Sequence, residues 1–382
     1  MKIVVAPDSF KGSLSAAEAC EAIAHGVRRA LPGAEIVTIP MADGGEGTVD
    51  ALVLSTGGRH VAARVTGPLD KPVKARYGIL GDGKTAVIEM AAASGLPLVP
   101  PEKRNPLKTT TCGTGELIRN ALEKGCRRFI IGIGGSATTD CGAGMAQALG
   151  VAFLRAGRRI EAHMTGGLMG EVDDIDYSGL LASARESEFI VACDVDNPLL
   201  GSKGAVAVYS PQKGATPEQC EILEANMTRI IGVIERVTGR SVRDAAGAGA
   251  AGGLGAALMA FLGARLRRGV DIVLEQCRFA ERIAGASLVI TGEGQIDYQT
   301  AFGKTPSGVA RVAKAQGIPV VALAGSVGKG ADRLAEIGIQ ACLSICPGPL
   351  SLAEAMSRGA ELLESAAERL IRVIIIELRE QQ

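Results

Sequence analysis

The sequence predicts an α/β protein of two domains: a doubly wound parallel-sheet domain made of residues 1–60 and 280–382, and a second, mixed-sheet α/β domain inserted at 61–279. Three observations predict it. At 382 residues the chain exceeds the size at which one hydrophobic core stops growing. Both ends alternate short apolar runs with segments of helical periodicity, the βα pattern of a parallel sheet. Between them, three β-rich runs follow one another across turns alone, which marks antiparallel pairing.

The elements follow in order. KIVVA at 2–6 is a buried strand, and Ser15 to Leu31 is a helix with Ala19, Ile23, Val27 and Ala30 on one face. Ser15 and Glu18 match a capping box that starts this helix. A second strand, EIVTIP, leads through ADGGEG into the helix TVDALVLST. HVAARVTG, PVKARYGILG and TAVIEMAAAS then form the antiparallel meander. Next come the helix GELIRNALEKG, the strand RRFIIGIGG, a helix after Gly142, the strand EFIVACD and a long helix from Pro217 to Val237. AGAGAAGGLGAALMAFLGARL is expected as a Gly/Ala helix. From about residue 280 the βα alternation resumes with SLVITGEG, TPSGVARVAKAQG, IPVVALAG, ADRLAEIG and ACLSICPG, and a C-terminal helix runs through SLAEAMSRGAELLESAAERL.

Composition narrows the function. Lys plus Arg equals Asp plus Glu at 41 each, which argues against a basic face for nucleic acid or anionic membrane and favours a small ligand. Nine scattered cysteines, without a C-x-x-C pair, read as inert core thiols of a reducing compartment. MKIVVAPDSFKGS is too short in its apolar run for a signal peptide or membrane span, so the expected location is the cytoplasm. His25, His60 and His163 lack partners at ligand spacing, which disfavours zinc or a His-based triad. Self-association into a homo-oligomer is left open.

Two generic motifs carry little. GILGDGKT at 78–85 satisfies the P-loop pattern, but a strand-like run follows where the motif needs a helix, so a hairpin turn is the better reading. GAGAAG at 247–252 matches a dinucleotide fingerprint without a clear strand before it, which favours close helix packing. Loops at strand ends are stronger signals, because parallel sheets bind ligands there. Asp8, Ser9 and Lys11 open the first helix with amides, a lysine and hydroxyls suited to an anion, and Lys11 is a candidate catalytic cation. Asp43 to Thr48 offers Gly44, Gly45 and the carboxylates Asp43 and Glu46, which suit Mg²⁺ or a sugar-like hydroxyl. Gly132 to Asp140 reads as a phosphate cradle, with Gly134, Gly135, Ser136, Thr138 and Asp140. Gly292, Glu293 and Asp297, with Lys304, set carboxylates beside a lysine, and Asp297 is the candidate Mg²⁺ ligand. Asp194 leaves the strand EFIVACD ahead of Lys213, itself a candidate substrate or phosphate contact, and Asp194 is the candidate to orient or deprotonate an attacking hydroxyl, against a helix-capping role. Anion donors, lysines, a metal-holding carboxylate and a base are the groups phosphoryl transfer needs.

In this order APDSFKGSLSA, PMADGGEGT, GIGGSATTDCGAGM, CDVDNPLLG, PQKGA, GAGAAGGLGAAL and TGEGQIDYQTAFGKTP resemble the type-1 bacterial glycerate kinase family, over about residues 1 to 330. The resemblance implies a flavodoxin-like domain with an inserted α/β domain, ATP and glycerate as small-molecule partners, and 2-phosphoglycerate as product. It also implies that phosphate and substrate positions fall on Asp8, Lys11, Gly134, Gly135, Ser136, Asp194, Glu293 and Asp297. Thr139 and Cys141 stand where the family more often has Asn and Gly. On the residues alone, an NAD-dependent dehydrogenase of a small hydroxy acid and a non-catalytic sensor of a small acid remain alternatives. The expected site is a cleft between the two domains.

Overall fold

The computed structural model describes residues 1–298, 300 and 303–380; Gln299, Ala301 and Phe302 of the TGEGQIDYQTAFGKTP run lie outside the described residues. The chain divides into two compact units, one of Met1–Asp43, Asp50–Thr56 and Val270–Gln382, the other of Gly44–Val49 and Gly57–Gly269. Strands are numbered β1 to β14 along the chain.

The first unit is built on five parallel strands: β1 (Lys2–Val5), β2 (Glu35–Thr38), β12 (Leu288–Ile296), β13 (Val320–Val327) and β14 (Ile339–Ser344). Their order is β14-β13-β12-β1-β2. Ile3, Val4 and Val5 pair with Leu288, Val289 and Ile290, and all six are buried. Such uninterrupted apolar runs belong to strands covered on both faces. The helix Ala16–Ala30 begins at Ser15, whose hydroxyl accepts from the Glu18 amide while Glu18 reaches back to the Ser15 amide. Its face of Ala19, Ile23 and Val27 shares a core with Leu363, Ala367 and Ile371 of the helix Gly359–Glu380.

The second unit carries β3 (Arg59–Thr66), β4 (Pro72–Ile79), β5 (Thr85–Glu89), β6 (Arg128–Gly132), β10 (Glu188–Ala192) and β11 (Arg265–Arg267) in one mixed sheet, ordered β11-β10-β6-β5-β4-β3. The pairs β3 with β4 and β4 with β5 are antiparallel, whereas β5, β6, β10 and β11 run parallel. Phe129 and Phe189 stack on adjacent strands with ring centroids 4.7 Å apart. A separate three-stranded sheet, β8 (Arg158–Arg159), β7 (Ala152–Arg155) and β9 (Asp174–Asp176), has no counterpart in the sequence reading, because strands of two to four residues leave no periodicity to detect.

Four other segments depart from expectation. The strand TAVIE stops at Glu89, and Ala91–Ser94 is helical, as a run of alanines favours. ADRLAEIG forms only a 3₁₀ turn, Ala331–Ala335. The C-terminal helix is two helices, Leu352–Ser357 and Gly359–Glu380, the first opened by a Ser351/Glu354 capping box. In the Gly/Ala helix Ala250–Leu262, Ala251, Gly252 and Gly253 all have positive φ, so regular helix starts only after them. GILGDGKT is a hairpin turn between β4 and β5, where Asp82 accepts from the Lys84 and Thr85 amides.

Candidate active site

In the first unit the loop after β1 lies beside the carboxyl half of β12, because the Asp8 amide donates to the Gly292 carbonyl at 2.8 Å. Gly292 itself is buried within β12 against β13, so it shapes the site from beneath. Loop and strand border a crevice of about 490 Å³ lined by Asp8, Ser9, Lys11, Asp43, Glu293 and Lys304 among others. Asp8 is only 6% exposed. Its Oδ1 accepts from the Ser9 amide at 2.6 Å and its Oδ2 from the Thr305 hydroxyl at 2.5 Å. Burial, aided by the negative charge of Asp43, lifts its pKa to about 6. Glu293 accepts from the Thr300 hydroxyl at 2.9 Å, and Lys304 Nζ stands 3.5 Å from its other oxygen. Burial nevertheless outweighs that cation and raises Glu293 to about 7. Carboxyls poised near neutrality in a crevice mark a functional site. Lys11 is exposed at its edge.

Mg²⁺ is held by one or two carboxylates and completes its oxygen shell with water and phosphate. Asp8 and Asp43, close enough for one to perturb the other, offer that donor set. Asp297, the ligand expected from sequence, accepts from the Gln295 side-chain amide at 3.2 Å. Among the described residues no three His, Cys, Asp or Glu groups form a closed cage. The chemistry fits an open carboxylate site.

In the second unit, backbone takes the place of side chains. The segment Gly44–Val49 lies across the carboxyl ends of β6 and β10: a Cβ on Gly132 would stand 2.5 Å from the Gly44 oxygen, and one on Gly44 2.6 Å from Ala192 Cβ. Gly44 also has φ +93, so only glycine fits there without strain. Glu89 at the end of β5 holds the segment through the Val49 amide at 2.9 Å. Gly45, Gly134, Gly135 and Ser136 are left at least partly exposed along this edge, as is the carboxylate of Glu46. Asp194 is exposed at the end of β10 and accepts from the Gly269 amide at 3.1 Å, the capping contact that sequence reasoning set against a catalytic role.

Three residues expected at the phosphate cradle instead support it from inside. Asp140 is fully buried and accepts from the Thr111 amide and hydroxyl at 2.8 and 2.7 Å and from the Gly142 and Gly144 amides. Thr138 is also fully buried, and Lys213, 2% exposed, donates to its carbonyl at 2.6 Å. Burial lowers Lys213 to about 7. These polar groups face inward because the loop doubles back on the GAGAAG segment, where a Cβ on Gly252 would lie 2.1 Å from the Thr138 oxygen. That fingerprint is buried and follows no strand, which removes the observation behind a dinucleotide site. Sequence reasoning missed Thr111, Thr300 and Thr305, lone hydroxyls whose partners lie up to 297 positions away.

Comparison with known proteins meets this geometry. The model of the glycerate kinase family matches residues 3–375. The chain belongs to the glycerate kinase family. It is 54% identical to a Bacillus subtilis (strain 168) glycerate kinase, covering 96% of each chain, and 49% identical to the Escherichia coli (strain K12) glycerate 2-kinase, covering 99% of each. Its fold matches the crystal structure of a proposed glycerate kinase 2 from Salmonella typhimurium LT2 with a TM-score of 0.90, at 49% identity over 99% of both chains. The α/β architecture is thereby that of a solved relative in this glycerate kinase group, and no helix among the described residues is long and apolar enough to cross a membrane.

Proposed function

We propose that the protein transfers the terminal phosphoryl group of ATP to glycerate. The observation that carries this is the paired raised carboxyls Asp8 and Glu293 beside Lys304 in the first unit's crevice, within a chain of the glycerate kinase family. The product is 2-phosphoglycerate, a regiochemistry supported by kinship with a protein named for the 2-position. In the reaction the C2 hydroxyl passes its proton to Asp194 as its oxygen bonds to the γ-phosphorus, the bond from that phosphorus to the β,γ-bridging oxygen breaks, and ADP departs with the electron pair of the broken bond. Lys11 neutralises the glycerate carboxylate or the moving phosphoryl group. Gly134, Gly135 and Ser136 give amides and a hydroxyl to phosphate, while Thr138, Asp140 and Lys213 hold that loop in shape. Asp194 orients the hydroxyl. A second reading gives this role to Glu293, favoured by its pKa of about 7, close to that of an efficient general base. Asp8 and Asp43 would hold Mg²⁺, which would neutralise charge on the phosphates, and Asp297, outside that crevice lining, is not needed for it.

The first unit is best described as flavodoxin-like, since its five parallel strands, numbered within that unit, follow the order 2-1-3-4-5. The second unit is its insertion. Nine free cysteines support a reducing, cytoplasmic setting. The test is direct: purified protein with Mg²⁺ and ATP should release ADP only when glycerate is added. Release at the same rate without glycerate, or none with it, rejects the substrate.

A further inference from the structure

The mixed sheet of the second unit has another hollow at its carboxyl edge, used by nothing described so far. The β3–β4 connection, Gly67 to Lys71, projects past the end of β5, since Arg59–Thr66 pairs antiparallel with Pro72–Ile79 and β4 in turn pairs with β5 only through Gly78 and Ile79. Together with the segment from Leu98 to Lys108 it bounds a cavity of about 660 Å³. That size is within the range of pockets that take drug-sized ligands, roughly 300–1,000 Å³, and leaves room for a nucleotide. The walls are of two kinds. Leu69, Leu98 and Pro100 present apolar surface. Lys71, Lys103, Arg104 and Lys108 bring four cations, against the single acid Glu102. Arg104 is half-buried in this wall, between the exposed Lys103 and the partly buried Asn105.

The cavity wall is tied to the glycine loop. Leu96 donates from its amide to the Gly135 carbonyl at 2.8 Å, and Thr109 from its hydroxyl to the Ala137 carbonyl at 3.0 Å. The end of β6, where Gly134 and Gly135 lie, is three strands from β3, roughly 14 Å at ordinary strand spacing. A nucleoside triphosphate is an elongated molecule, apolar at one end and polyanionic at the other. We propose that this basic cavity is the nucleotide subsite, with the adenosine on the Leu69, Leu98 and Pro100 wall and the phosphates running past Lys103, Arg104 and Lys108 towards Gly134 and Gly135. The assignment rests on ATP being the phosphoryl donor.

Calorimetric titration of the full chain with a non-hydrolysable ATP analogue, beside steady-state kinetics, tests it. The double variant Lys103→Glu, Lys108→Glu alters two exposed side chains, and it should weaken the analogue and raise the KM for ATP at least about tenfold, as loss of charge-assisted contacts does. The KM for glycerate should stay within about twofold. Arg104→Met, which keeps the aliphatic stem, should act in the same direction. Analogue affinity unchanged in both folded variants, with wild-type turnover intact, overturns the subsite but not the kinase activity. Wild-type protein lacking glycerate-dependent ADP release removes the donor itself. Competition by tripolyphosphate but not adenosine overturns the adenosine placement.

Discussion

The two units present their chemistry through different parts of the chain. In the first, Asp8, Glu293, Lys11 and Lys304 gather side chains around a crevice, and desolvation rather than charge pairing decides the protonation of the two carboxyls. In the second, Gly45, Gly134 and Gly135 leave backbone at the edge, while Asp140, Thr138 and Lys213 are turned inward to hold it. A side-chain site fails when one functional group is changed. A backbone site fails when packing beneath it moves.

The largest effect should come from the carboxylates. Asp194→Asn is expected to lower kcat by about 10²–10⁴-fold, the range for a lost acid–base group, with the thermal midpoint little changed. Stopped-flow or coupled assay beside calorimetry checks both. Turnover close to wild type would leave Asp194 as a cap on the Gly269 amide and pass its role to Glu293. Next, Gly252→Ala places a methyl 2.1 Å from the Thr138 carbonyl at φ +69, and it should destabilise the protein by about 1–3 kcal/mol. Its denaturant midpoint should fall, and the KM for ATP should rise as the loop shifts. A variant as stable as wild type would break the contrast drawn between the units.

Smaller still is the pH response of Glu293. Its folded pKa, about 7, exceeds the ordinary glutamate value of 4.5, so the folded state binds more protons than the unfolded state between those values. Stability therefore falls as pH rises from about 4.5 to about 7, and Glu293→Gln should flatten that slope in urea titrations across the window. The smallest change is Ser15→Ala, which removes a helix cap of the first unit and should cost about 1 kcal/mol. Its kinetic constants should match wild type, which separates structural from functional loss within one unit.

Much of this was readable in the sequence for local reasons. The capping box at Ser15 and Glu18, the hairpin at Asp82 and the apolar strands rest on neighbours within a few positions. So does the placing of chemistry at strand ends, because a parallel sheet dictates it. What escaped is non-local. That Lys213 points into the interior depends on the Thr138 carbonyl, 75 residues away, and that Ala251 adopts positive φ depends on the loop packed over it. Glycines announce close approach but not the partner, so GAGAAG could be read as a nucleotide motif until its burial was seen.

The proposed reaction carries phosphate from ATP to the C2 oxygen of glycerate. Phosphorus NMR of the product formed from ATP and D-glycerate tests it most directly. Transfer to C2 predicts a new resonance whose coupling is to the single C2 proton, appearing in step with ADP. A resonance coupled to the two C3 protons, or ADP without any phosphorylated glycerate, would contradict it.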